Sequence, residues 1–148
     1  MANDLSMFGA LDTEKQLWVQ HGPDAKPEVI ASGVERLLWG PISHRVLVEG
    51  PDKKSRVYDG RNRTWIDLGT VTIAQWSLDE DRLLFVESVS PSETYLSLLR
   101  GTQVQRICDL NRIGSIVKIE MSSAKDSAFL LAGLSNQTNV WMTALPVM

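Results

Sequence analysis

The sequence predicts an all-β fold of repeated antiparallel sheets, and three observations carry that expectation. Apolar and polar residues alternate at period two along most of the chain, and Gly, Pro, Ser or Asn interrupts every segment that could hold a helical stripe. Strand-length runs are separated by short turn-rich stretches such as Gly60-Arg61-Asn62-Arg63, a Gly-containing turn of the kind that closes hairpins. Five tryptophans in 148 residues, Trp18, Trp39, Trp65, Trp76 and Trp141, recur like the anchor of a repeated unit.

The stretch from Trp76 to Val86 sets the pattern. An apolar strand ends at Trp76, Ser77 to Asp81 turn, and Arg82 opens a second apolar strand. Taken in order, Asp4 to Leu11 reads as a first strand, Gln16 to Gln20 as a second and Glu28 to Ala31 as a third. The break between the last two, His21 to Pro27, is dense in Gly and Pro. Val34 to Trp39, Arg45 to Glu49, Ser55 to Asp59 and Thr64 to Leu68 follow, with β-branched residues favouring strand over helix. Val71 to Trp76 and Arg82 to Glu87 come next, then a polar connection over Ser88 to Glu93, then Thr94 to Leu99 and Gln103 to Leu110. Ser115 to Met121, Ser127 to Leu131 and Asn139 to Leu145 complete the pattern, with a loop expected over Ser135 to Thr138.

Trp39, Trp76 and Met121 superpose as strand ends that precede a turn and a further apolar strand, at offsets of 37 and 45 residues. Four-stranded units of about 40 residues have the period of propeller blades. The expected organisation is one repeat domain over 1–148: a partial blade at 1–33, blades at 34–70 and 71–112, and a partial blade at 113–148. A sheet apolar on both faces must stack on neighbours to bury them. Closed rings need about four to eight blades, so completion by a second copy, or by further blades of a longer protein, is expected alongside a small four-bladed monomer.

The stretch Trp76-Ser77, Asp79 and Arg82 resembles the TolB-type propeller repeat, a relative of WD-repeat blades whose core is Trp-Ser-Pro-Asp-Gly-Lys-Arg before a short apolar strand. Leu78 stands in place of its Pro and Glu80 in place of its Gly. Trp39-Gly40-Pro41 with Arg45 is a second copy, and Met121-Ser122 a third that keeps only the serine. Gln16-Leu17-Trp18-Val19 and Asn139-Val140-Trp141-Met142 are similar to the family's third strand. The resemblance implies that Trp39, Trp76 and Met121 pack between blades and that Asp79, Arg82 and Arg45 close hairpins, so that none of the six is catalytic.

Composition excludes several classes. A hydrophobic fraction of 43% belongs to a globular chain, and the net charge of -3 provides no field for nucleic acid or an anionic membrane. No apolar run approaches the roughly 18 residues of a spanning helix, and the first residues lack a basic targeting segment, so a soluble chain of unassigned compartment is expected. Cys108 is the only cysteine and is expected to be a small core filler.

The same residues supply no catalytic, cofactor or metal set. No serine lies in a Gly-x-Ser-x-Gly elbow, and no Gly-rich phosphate loop precedes a helix. His21 and His44 lack metal-ligand spacing and read as solvated turn residues. Asp79-Glu80-Asp81 reads as a solvated hairpin tip, because calcium loops need about six ordered oxygen ligands. Lys53, Lys54, Arg56, Arg61 and Arg63, with Tyr58 and Trp65 interleaved, form the one basic cluster; diluted by Asp52, Asp59 and Asp67 in an acidic chain, it reads as a solvated outer-strand hairpin rather than a nucleic-acid site, with a protein-interaction surface as the reading between the two. The expected function is a non-catalytic scaffold for a protein partner, including a second copy. The alternatives are an accessory propeller of a larger enzyme such as a serine peptidase, and a carbohydrate or small-molecule binder.

Overall fold

The computed structural model describes residues 7–111, 113, 115–122, 124–125, 127–134 and 137–145. Among them the chain is all-β, without a helix. The strands are β1 (Met7–Leu11), β2 (Leu17–His21), β3 (Glu28–Ala31), β4 (Arg36–Trp39), β5 (Arg45–Glu49), β6 (Ser55–Asp59), β7 (Thr64–Gly69), β8 (Val71–Trp76), β9 (Arg82–Ser90), β10 (Glu93–Arg100), β11 (Gln103–Asp109), β12 (Ser115–Met121), β13 (Ser127–Leu134) and β14 (Gln137–Ala144). They form four antiparallel meanders in chain order: β1-β2-β3, β4-β5-β6-β7, β8-β9-β10-β11 and β12-β13-β14.

The chain divides into two compact units, Met1–Leu68 and Gly69–Met148. Each has its own core between two sheets. In the first, Met7, Leu17, Val19 and Ala31 of the first sheet meet Val46, Val48 and Tyr58 of the second. In the other, Leu84, Val86, Leu96 and Leu98 meet Ile119, Ala128, Leu130 and Leu145. The central strands of the two four-stranded sheets are buried on both faces, as Val46, Leu47 and Val48 of β5 and Leu83 to Val86 of β9 show. That double burial explains their near-continuous apolar runs.

Turn geometry gives each sheet its phase. Gly40 N donates to Arg45 O and Ser43 N to Gly40 O; Ser77, Glu80 and Arg82 repeat the two bonds, as do Ser122, Lys125 and Ser127. A tighter form joins β1 to β2, with Asp12 N on Gln16 O and Lys15 N on Asp12 O, and recurs between β5 and β6 at Gly50, Lys53 and Lys54. The first sheet therefore holds counterparts of the second to fourth strands of a full sheet, and the last holds counterparts of the first to third. In all five turns the same position, at Lys15, Ser43, Lys53, Glu80 and Lys125, is left-handed, with φ between 61 and 67°. Glu80 stands where the resembling repeat has glycine, and the backbone there explains that choice.

Three expectations need correction. The polar connection over Ser88 to Glu93 is mostly strand, because β9 runs to Ser90 and β10 starts at Glu93. A register shift at Glu93/Thr94 absorbs the irregularity, so polar residues continue the ladder instead of leaving it. The strand expected from Val34 begins at Arg36. Val34 is instead a buried plug whose N–H donates to Lys15 O at 2.9 Å. Of the loop expected over Ser135 to Thr138, Gln137 and Thr138 are instead strand, since β14 starts at Gln137. Asp4 to Ser6 of the first expected strand, and Ser135 and Asn136 of that loop, lie outside the described residues.

Candidate interaction surfaces

The first and last sheets each present an apolar face to solvent. In the first, the register sets Ala10 opposite Trp18 and Trp18 opposite Val29, which puts Phe8, Trp18 and Val29 on the side away from Leu17 and Val19. Phe8 is 58% exposed and Trp18 39%. The Trp18 indole donates to Asp12 Oδ2 at 2.8 Å, and that bond, with backbone donors from Gln16 and Glu14, holds the Asp12 carboxyl below its ordinary range. In the last sheet Phe129 pairs with Met142 and Leu131 with Val140, on the side away from Ala128 and Leu130. Val140 is 70% exposed and Met142 69%, whereas the equivalent third strands β6 and β10 are largely buried.

A cleft of about 380 Å³ opens in the second unit between the β8–β9 and β12–β13 turns, lined in part by Gln75, Trp76, Leu78, Asp79, Met121 and Lys125. Gln75 Oε1 accepts from Met121 N at 2.7 Å. The Lys125 ammonium bridges Asp79 Oδ2 at 2.6 Å and both Asp81 oxygens at 3.3 Å. Ser77 donates to Asp79 Oδ1 and accepts from Arg82 N. Hydrogen bonds from Asp81, Lys125 and Ser77 hold the Asp79 carboxyl far below its usual value, and Asp79 in turn raises Lys125. The hairpin tip expected to be merely solvated is thus an ionic clasp between two turns, and Glu80 within it is buried. Leu78, where the resembling repeat has Pro, is 84% exposed at the rim.

The residues singled out from the sequence fall as follows. Trp39, at the end of β4, lies against Gly9 of the first sheet, where an added Cβ would overlap its ring. Trp76 is buried, and Met121 packs against the core of its unit. Arg45 is directly opposite Asp59 in the ladder, and its Nε donates to Asp59 Oδ2 at 3.3 Å. Arg82 Nη1 donates to Lys125 O at 3.2 Å. The five basic residues do not converge. Lys53 and Lys54 lie at the β5–β6 turn, Arg61 and Arg63 at the opposite end of β6, and Arg56 between them lies 4.1 Å above the Trp65 ring.

The histidines are not solvated turn residues. His44 is 5% exposed in the β4–β5 turn, and its carbonyl accepts from Gly60 N at 2.8 Å. His21 ends β2, half-buried, with Nε2 2.9 Å from Tyr58 Oη and Nδ1 3.7 Å from Glu28. Burial, with help from the Arg63 charge and against Glu28, lowers His21 below its ordinary value. Tyr58, raised by burial, packs tilted against Trp65 with ring centroids 4.9 Å apart. Turn composition could not reveal this, because the partner arrives from β6, 37 residues along. Among the described residues no group of three His, Cys, Asp or Glu side chains is placed to hold a metal.

Antiparallel meanders in which a three-stranded sheet stacks on a four-stranded one within each unit, with tryptophan at the end of the first strand of each full sheet, are the sheets of a β-propeller. Solved structures share this fold. TolB from Acinetobacter baumannii superposes at a TM-score of 0.57 and 12% identity, over 93% of this chain and 37% of its own. The β-propeller domain of the Trilobed protease from Pyrococcus furiosus, described as having an open velcro topology, gives 0.58 and 12% over 94% and 52%. A putative TolB from Agrobacterium tumefaciens gives 0.56 and 13% over 95% and 58%. The chain thus spans between about a third and three fifths of these structures, and at such identities the likeness carries the fold alone. No family model and no curated protein sequence matches the chain.

Proposed function

We propose that the chain is a non-catalytic propeller scaffold for protein–protein interaction and that copies of it complete one another by stacking the first sheet of one on the last sheet of the next. The observation that carries this reading is the pair of exposed apolar faces, Phe8, Trp18 and Val29 on one sheet and Phe129, Val140 and Met142 on another. Central strands of this chain are covered on both faces, and monomeric proteins rarely leave large contiguous apolar patches in water. Four sheets per chain also sit at the lower end of the range for rings, so two chains give a comfortable one. Recognition of further partners falls to the turns, with the cleft beside Leu78 offering an apolar rim next to an ionic floor.

The deciding experiment is solution mass by light scattering behind size exclusion. Twice the chain mass of 16.5 kDa is expected for the wild type, with a folded monomer after Phe8→Glu. A wild type that stays monomeric across a wide concentration range would sink the self-assembly reading.

A further inference from the structure

In the two four-stranded sheets the third strand is covered by a fourth, β7 or β11, whereas the third strand of the last sheet, β14, ends its sheet. β14 is eight residues long, Gln137-Thr138-Asn139-Val140-Trp141-Met142-Thr143-Ala144, with no charge and no proline. Outer edges are ordinarily blunted by charge, proline or shortness. The other outer edges follow that rule: β11 carries Arg106 and Asp109, β7 carries Asp67, and β3 has four residues with Glu28 at its start.

A second feature lies at the same place. Ladder positions Leu98↔Gln105 and Arg100↔Gln103 put Arg100, Gln103 and Gln105 on the face of β10 and β11 that carries Leu98, the face packed on the last sheet. A pocket of about 260 Å³ is formed there by Leu98, Arg100, Gln103, Val104 and Gln105. Arg100 Nη1 is enclosed and has no acceptor among the described residues. Its cross-strand neighbour is Arg82, a like charge, where the equivalent pair of the second sheet is Arg45 with Asp59. Like charges directly opposite destabilise a ladder, and an enclosed guanidinium without an acceptor is costly. Arg100 faces Arg82 at the turn end of its sheet, and Ala144 faces Ser127 at the same end of the next, the ends being tied by Arg82 and Lys125. The pocket therefore lies on the face turned toward the C-terminal end of β14, where Leu145 shares a core with Leu98.

We infer that the β14 edge and the Arg100 pocket form one docking site for an extended segment of a protein partner. The segment pairs antiparallel with β14 as a fourth strand and places an Asp or Glu carboxylate on the Arg100 guanidinium, between the Gln103 and Gln105 amides. Strand addition supplies main-chain hydrogen bonds, and the alternating side chains of the guest supply specificity, with its inward positions apolar except for the acidic one. A carboxylate is the expected anion because it accepts two parallel N–H bonds from arginine and restores the charge pairing seen at Arg45 and Asp59. This rests on the interaction role proposed above but uses a strand edge, whereas self-assembly uses sheet faces.

The test is selection of randomised displayed peptides of about eight residues, a strand's length, on the full chain, followed by fluorescence anisotropy with the enriched peptide. Expected are an acidic residue at one fixed position within apolar alternation, and at least tenfold weaker binding after Glu→Gln in the peptide or Arg100→Gln in the protein, the two losses not adding. Arg100→Lys, which keeps the charge and loses the fork, should fall between. Met142→Lys charges the edge strand and should abolish binding while leaving the fold measurable by circular dichroism. Absence of any enriched peptide, enrichment without an acidic residue, or equal affinity for Arg100→Gln overturns the inference, as does a wild-type dimer that a saturating amount of the enriched peptide dissociates, since a second copy would then occupy the edge. A monomeric wild type that still selects acidic peptides would sink only the self-assembly reading.

Discussion

Lys53 sits in left-handed backbone at φ 64°, exposed at the β5–β6 turn, with its neighbour Lys54 directly after it. A side chain with a Cβ is strained there and glycine is not. Lys53→Gly is expected to raise stability by about 0.5–1 kcal/mol, and Lys54→Gly, at a position without that strain, to lower it, both read from urea midpoints. His21 gives a pH signature. Its folded pKa lies below the unfolded value because burial and Arg63 outweigh Glu28, so the unfolded chain takes the proton first. Stability is therefore complete above about pH 6.5, the unfolded value, and declines as pH falls below it. His21→Gln should flatten the difference between pH 7.5 and pH 5.5 relative to wild type; an unchanged slope would mean that burial and the Arg63 charge do not hold the imidazole in its neutral form. Neither effect was legible in composition, since left-handed backbone fell on Lys, Ser and Glu instead of Gly, and the partner of His21 is set by register.

At the scale of elements, period-two alternation and turn residues located all fourteen strands, because within each sheet successive strands are joined by short turns whose chemistry is local. What they could not convey is which positions are buried on both faces. Leu83 and Leu84 are consecutive in β9, point to opposite sides, and are both fully buried. A strand with one wet face would tolerate one of the two truncations. Here Leu83→Ala and Leu84→Ala should each cost about 2–5 kcal/mol in chemical denaturation, whereas Val104→Ala on the exposed β11 should cost far less. A mild result for either leucine would mean that its side of β9 is not a packed face. The basic cluster shows the converse limit. Five charges close in sequence became three separate places, because β6 carries its two turns to opposite ends of a sheet, and proximity along a hairpin is not proximity in space.

For the whole molecule, the offsets between Trp39, Trp76 and Met121 were enough to read repeated sheets, and the exposed apolar faces decide what a copy can do next. Stacking the first sheet of one copy on the last of another is heterologous: two different patches meet, so a two-copy ring holds two identical junctions and an unclosed series grows into a filament. That asymmetry is testable by mixing. Phe8→Glu spoils one patch and Phe129→Glu the other, so each variant alone should be monomeric. Mixed together, the intact last sheet of the first variant meets the intact first sheet of the second, and one junction forms. The mixture should therefore show a dimer in light scattering that is weaker than the wild type, which has two. An isologous interface, built from one patch meeting itself, predicts instead that one variant alone remains dimeric and that mixing restores nothing. The apolar junction should persist as salt is raised, and should tighten as pH approaches the calculated isoelectric point near 5.3, where the net repulsion between acidic copies fades. Dissociation by salt would assign the association to charge and remove the exposed phenylalanines from its cause.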